Sequence, residues 1–223
     1  MPEFEVICLA NSRKLSGRCV AGLRTDGGGW IRPVSDLEHG ILTERHYQYA
    51  DGTECRPLDV LRIDFARPAP ECHQPENWAL GRKPWQLVCR PATSQHRPLL
   101  VAHVVAGPAL LGSRFDRIPH ATLRAAPAAA SLALIEPRNL RWCLKTSLQG
   151  KLKVRALFEL AGAKYDLTVT DPVWEQKLLG APARDPLIPH RGRVWLTVSL
   201  GEPFSDACCY KLVATVIELP AGS

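Results

Sequence analysis

The sequence predicts a mostly β protein with short helices, laid out as two small barrels in tandem. Three observations lead there. Strand-like runs recur through both halves, short and punctuated by Gly, Pro, Asn and Asp. Each half repeats one order of elements, a three-strand meander, a short helix and then further strand. The 223 residues are 46% hydrophobic and 22% charged, an ordinary globular balance that can bury a core.

The second half is the more legible. Residues 140–146, 152–160 and 164–170 read as strands, with Gln149-Gly150 and Gly162 at the turns. Asp171 is a good N-cap, Pro172 suits the first helical position, and Gly180 suits the stop, so residues 172–180 form a short helix. Strands at 193–200 and 210–219 follow. Three strands, a helix and two strands is the order of an OB-fold, a five-stranded barrel.

The first half has the same order. Residues 4–10, 19–25 and 30–34 read as strands, 11–17 as a polar loop, and Asp26-Gly27-Gly28-Gly29 as a turn suited to glycine. Thr43 can cap a short helix, and 58–65 is a fourth strand. No fifth strand stands out. Residues 67–127 are rich in Pro, Gly and Ala without a clean period, and 131–136 is either the missing strand or part of a bridge. The expected division is a first OB-like barrel at 1–66, an irregular insertion or bridge at 67–130 that can supply a strand to it, and a second OB-like barrel at 131–223.

A net charge of +6 favours a polyanionic partner, although a basic surface also serves solubility. The N-terminal Pro2-Glu3-Phe4-Glu5 is acidic, no apolar signal region follows, and no run is long enough to span a membrane. A cytoplasmic location and free thiols are therefore expected for the eight cysteines. None form CxxC, and Cys72-His73 and Cys208-Cys209 are adjacent pairs without zinc-site spacing, so neither metal nor cofactor is expected.

Seven segments carry a resemblance. They are CLANSRK (Cys8–Lys14), GRCVAG (Gly17–Gly22), WIRPVS (Trp30–Ser35), QPENW (Gln74–Trp78), TDP (Thr170–Pro172), VSLGEPF (Val198–Phe204) and CYKLVA (Cys209–Ala214). Together they resemble the bacterial dual OB domain-containing proteins, in order and over nearly the whole chain. The resemblance implies tandem OB-like barrels, nucleic-acid binding, and a setting in bacterial defence or mobile elements. It carries no activity over. Residues 99–114 depart from the family's pattern, lacking a tryptophan and an Asn-Gly.

The candidate ligand contacts follow from element order. In an OB-fold the loop between strands one and two borders the ligand face. That places Arg13, Lys14 and Arg18 as phosphate contacts, beside Asn11 and Ser12. Trp30 and Arg32 alternate on strand three and share a face, a usable stacking platform, and Trp78 falls near the second rim loop. A core role for Trp30 and a solvated turn for Arg13 and Lys14 are the plain alternatives. Between Arg138 and Arg155 there are six basic residues and no acidic ones. Arg141 and Lys145 alternate with apolar positions on one strand, as do Lys151, Lys153 and Arg155 on the next, so one face of this hairpin is cationic. A solubilising or edge-protecting face is the alternative. Residues 80–124 add seven basic residues against one acidic, Asp116.

Single-stranded DNA or RNA is thus the expected ligand, with no membrane partner. One rival is a metal-dependent nuclease or other phosphoryl-transfer enzyme on Asp171, Ser199, Glu202 and Lys211. No GxSxG, HExxH, P-loop or deaminase motif is present, so catalysis is not expected. The other rival is an adaptor that docks a defence-system protein.

Overall fold

The computed structural model describes residues 2–90, 93–147, 150–180 and 187–220. The first part of the chain forms β1 (Glu3–Lys14), β2 (Gly17–Arg24), β3 (Trp30–Val34), α1 (Glu44–Tyr47), β4 (Val60–Pro68), β5 (Asn77–Leu80) and β6 (Gln86–Cys89). A connecting part holds α2 (Thr93–Ala102), β7 (Arg117–Pro119) and α3 (His120–Ala125). The remainder forms β8 (Leu132–Ile135), β9 (Arg138–Thr146), β10 (Leu152–Leu160), β11 (Ala163–Val169), α4 (Pro172–Leu179), β12 (Ile188–Pro189), β13 (Val194–Pro203) and β14 (Cys208–Glu218). Gln149, placed in a turn from sequence, lies outside the described residues.

The first barrel closes through one long strand. The start of β1 pairs antiparallel with β4, from Glu3↔Asp64 to Ile7↔Val60. Its remainder pairs antiparallel with β2, across an irregularity between Cys8 and Ala10. The circuit continues from β2 to β3, parallel to β5, and antiparallel back to β4. Val6, Cys8, Val20, Ile31, Leu61, Ile63 and Phe65 fill the interior, with Tyr47 and Trp85 buried against them. Gly22 is required here, since a Cβ would sit 2.0 Å from the Ile7 carbonyl oxygen.

One open alternative resolves and one expectation changes. The fifth strand is Asn77–Leu80, so the first barrel takes it from the 67–130 segment, the alternative that allowed that segment to supply a strand, and not from 131–136. At four residues it is too short to show a period, and the nearby Pro75 and Gly81 mask it. The polar loop expected at 11–17 is ladder almost throughout. Asn11↔Val20, Ser12↔Cys19 and Arg13↔Arg18 are paired, leaving Leu15-Ser16 as the turn.

The second barrel uses the same device in two pieces. β8 pairs antiparallel with β13 and β9 with β10. Only Glu136-Pro137 separates β8 from β9. They act as one strand bent at a proline, a residue that cannot donate to a ladder. From β10 the sheet passes to β11, parallel to β14, and antiparallel to β13. No ladder joins β9 to β13 among the described residues; the circuit returns through the covalent bend. Asp171 caps α4 as expected, its Oδ1 accepting from the Val173 and Trp174 N–H groups at 2.9 and 3.1 Å. Trp174 then stacks on Trp142 with centroids 5.0 Å apart, in the core with Phe158, Tyr165 and Val198.

The barrels share a second core. Ile7, Leu9, Leu23 and Val60 of the first pack with Leu134, Trp195 and Ile217 of the second and with Leu100 of α2. Ala10, Ala21, Leu132 and Ala214 extend it. Backbone and hydroxyl groups are satisfied across the seam. Thr197 donates to the Leu9 carbonyl at 2.6 Å, the Asn11 N–H donates to Thr215 Oγ1 at 3.1 Å, and the Arg13 N–H donates to the Thr170 carbonyl at 2.8 Å. The connecting segment is pinned in turn. Tyr165 donates to the Pro108 carbonyl at 2.6 Å, and Lys211 donates to the Ser113 and Phe115 carbonyls at 2.7 and 2.6 Å.

Because this seam is as buried as either interior, the two barrels should unfold together. Urea denaturation followed by far-UV circular dichroism and by tryptophan fluorescence should give one coincident transition. Trp195→Ala should lower stability by about 3–5 kcal/mol, and two separated transitions would contradict a shared core.

Candidate functional site

In an OB barrel the ligand face is the outer side of strands two and three, bordered by the loops between strands one and two and between four and five. In the first barrel that face is the seam. Leu23 packs with Leu134 and Trp195, Ala21 packs with Leu132 and Ala214, and Trp30 is half-buried against both groups. Trp30 is therefore not an open stacking platform, because the second barrel occupies its face.

Arg32, expected beside Trp30 on an exposed face, is 0% exposed. One terminal nitrogen donates to Asn77 Oδ1 at 3.1 Å. The other donates to Ser131 Oγ at 3.0 Å and Ser199 Oγ at 3.2 Å. Glu76 accepts from the Ser131 N–H and hydroxyl at 2.7 and 2.6 Å, bringing a carboxylate into the same network. A guanidinium offers five N–H donors in a planar fork, which lets one side chain tie β3, β5, β13 and the residue before β8.

The other candidate cations of the first barrel, Arg13, Lys14 and Arg18, are paired. Lys14 Nζ meets Glu202 Oε1 at 2.7 Å, and Arg13 pairs with Glu175 of α4, both across the seam. Arg18 forms a two-pronged pair with Glu54 at 3.1 and 3.2 Å and lies over the Tyr47 ring. Burial alone would raise the Glu202 carboxyl, but the hydrogen bond from His73 and the Lys14 ammonium outweigh it and hold it at about 2. Burial pushes Glu175 up despite Arg13. Trp78, expected near a rim loop, turns onto Phe4 and Phe65, with centroids 5.3 and 5.9 Å away.

The corresponding face of the second barrel is open. Register places Arg141, Cys143 and Lys145 of β9 beside Leu157, Arg155 and Lys153 of β10, and Asp166, Thr168 and Lys164 of β11 continue the face. Arg141, Lys145, Lys153 and Lys164 are exposed, and Lys151 is exposed just before β10. Asp166 sits among them, accepting from Lys145 and from Arg155 Nε at 2.7 Å each. Burial would raise its carboxyl, but those two cations together pull it below the ordinary range. Arg155 also donates to Thr168 Oγ1 and the Asp166 carbonyl at 2.6 Å, so its guanidinium is held flat along the sheet. Five cations thus face two carboxylates, Asp166 and Glu159, on one side of three strands.

Sequence reasoning did not single out the aromatics of the β13–β14 turn. Phe204 is 61% exposed there and meets Tyr210 edge-on, with centroids 6.2 Å apart. Arg117 lies over the Tyr210 ring and donates to its hydroxyl at 3.0 Å. The signal was an apolar residue beside Pro203 in a turn, weak without the topology.

Each member of the rival set is engaged in structural contacts. Asp171 caps α4 and also accepts from the Val216 N–H at 3.0 Å, and burial pushes its carboxyl up. Ser199 accepts from Arg32, Glu202 holds Lys14 and His73, and Lys211 is sealed on two carbonyls. Among the described residues, two groups place metal-capable donors together, Cys72–His73–His120 and Glu71–His73–Glu202; of the rival set only Glu202 belongs to one.

A family model described as "Dual OB-containing domain" matches residues 4–216. Among solved structures, the "Crystal structure of the tetrameric p202 HIN2" covers 98% of this chain and 94% of that one, at 7% identity and a TM-score of 0.34, too low a likeness to bear on function. A comparison with curated proteins finds no match. No helix among the described residues is long and apolar enough to cross a membrane.

Two outcomes follow from the buried cations. Arg32→Ala should cost about 3–5 kcal/mol, read as a lowered urea midpoint, and Arg32→Lys should not restore it, because an ammonium lacks the fork. An unchanged midpoint would show that the network adds nothing. Burial lowers Lys211 from the ordinary 10.5 to about 8. Between those values the unfolded chain holds the proton and the folded one does not, so stability rises with pH across that window; below about 8 the burial penalty is present in full. Relative to Lys211→Met, the protein should gain up to about 3 kcal/mol between pH 8 and 10.5, measured by urea titration at each pH.

Proposed function

The chain belongs to the dual OB-containing domain family, and from that premise we propose that it binds single-stranded nucleic acid along the outer face of β9, β10 and β11. One observation carries the reading. Of the two faces that OB barrels use for oligonucleotides, the first barrel's is sealed in the seam, and the second's is open and cationic.

Cations held at strand spacing follow a phosphate backbone without reading bases. Arg141, Lys145, Lys153, Arg155 and Lys164 supply that contact, and Lys151 extends it at the loop end. The face carries no aromatic side chain, so stacking falls to Phe204 at the β13–β14 rim. Binding of this kind is tolerant of sequence and weakened by salt. It is binding without turnover.

Anisotropy titrations of labelled single-stranded DNA and RNA at several salt concentrations test this. Lys145→Ala with Lys153→Ala should flatten the slope of log K against log salt by about 1.4, at roughly 0.7 per lost phosphate contact. Arg13→Ala with Lys14→Ala should leave the slope unchanged while lowering stability, since these cations hold the seam. Phe204→Ala should weaken binding by about 1–3 kcal/mol, and the oligonucleotide should be recovered intact after incubation with magnesium. Absence of binding at low salt, or an unchanged slope in the β9–β10 double variant, would overturn the assignment.

A further inference from the structure

We propose that Cys72, His73 and His120 form a binding site for a divalent ion of the zinc class, built between the β4–β5 turn of the first barrel and α3 of the connecting segment. Each offers one donor atom, and the three donors lie within 4.8 Å of one another. Cys72 Sγ is 3.4 Å from His120 Nε2. With Zn–S near 2.3 Å and Zn–N near 2.0–2.1 Å, adjacent donors of a tetrahedral ion sit roughly 3.3–3.6 Å apart. That pair already spans a tetrahedral edge.

His73 supplies an independent observation. It is 2% exposed, and its Nε2 meets Glu202 Oε2 at 2.8 Å. An ionised carboxylate only accepts, so Nε2 carries the proton, and in the neutral imidazole Nδ1 presents a lone pair. Nδ1 is buried with no hydrogen-bond partner. A buried, unmet acceptor is costly, and a metal ion is the partner that would satisfy it beside a thiolate and a second imidazole. Glu202 is fixed in turn by Lys14 Nζ at 2.7 Å. A carboxylate behind the imidazole is the usual support of a ligating histidine, setting its tautomer and ring orientation.

The backbone holds all three donors in place. Residues 71 and 74 exchange N–H···O bonds of 3.1 and 3.0 Å, which fixes Cys72 and His73 in a tight turn. The Ala128 N–H donates to the Cys72 carbonyl and the His120 N–H to the Ala207 carbonyl, each at 2.8 Å. Glu71 Oε2 lies 3.5 Å from His73 Nδ1, so the fourth position is open to that carboxylate or to water. One thiolate with two imidazoles suits zinc, cobalt or copper and not magnesium or calcium. On binding, Cys72 releases its proton to solvent and the sulfur donates to the ion. The ion then ties the turn before β5 to the start of α3, and through Glu202 and Lys14 to both barrels.

Cobalt(II) titrated into metal-stripped protein under reducing conditions tests the site. One equivalent should produce a thiolate-to-cobalt charge-transfer band in the near ultraviolet, and zinc should abolish it by displacement. Cys72→Ser and His120→Ala should lose the band, and Cys89→Ser should keep it. Glu202→Gln should weaken cobalt binding by about 10–100-fold. The wild-type titration stands even if a variant fails to fold. Folded wild-type protein without the band, or a band of full intensity in Cys72→Ser, would overturn the proposal.

Discussion

Burying a guanidinium costs several kcal/mol unless acceptors meet its N–H groups, and Arg32 is buried where no single barrel could meet it. Asn77 comes from β5 of the first barrel, Ser199 from β13 of the second, and Ser131 is the residue that leads into β8. Glu76 supplies the balancing charge through Ser131. Arg32 Nε has no partner among the described residues, so the site is tolerated only because the rest is well met. The network therefore fixes the distance between β3 and β13, and with it which faces remain open.

That constraint makes the tandem asymmetric. The two halves share a topology, with one strand that pairs first with its fourth and then with its second neighbour. They do not share a role. The first spends its β2–β3 face on Leu23, Ala21 and Arg32, which meet the second barrel. The second meets it with Trp195, Thr197 and Ser199 of β13 and keeps its own β10–β11 face open. Of the two OB ligand faces, the second barrel's alone is left exposed and cationic among the described residues, while Lys14 and Arg13 become interfacial anchors.

The elements were largely legible. Strands of the second half, the Asp171 cap and the glycine turns follow from alternation and from local hydrogen bonding, which act over a few residues. β5 was not legible, because four residues beside Pro75 carry no period and their partner β3 lies far away in sequence. The cationic face of β9 and β10 was read correctly as a face, since alternation sets it. Asp166 was missed there because it reaches that face from a third strand.

The sequence by itself determined the strands and helix of the second half, the repeated order and the alternation of charge along β9 and β10, all local consequences of backbone geometry and side-chain spacing. Tertiary structure alone decided what each charge meets. Arg32 and Lys153 are equivalent in a sequence reading, two cations at alternating strand positions. One is sealed among hydroxyls and an amide by a second barrel, and the other faces solvent. His120 likewise lay far from the adjacent Cys72 and His73 until a turn and a short helix brought them together. Desolvation and donor geometry depend on neighbours distant in the chain, and no spacing along it records them.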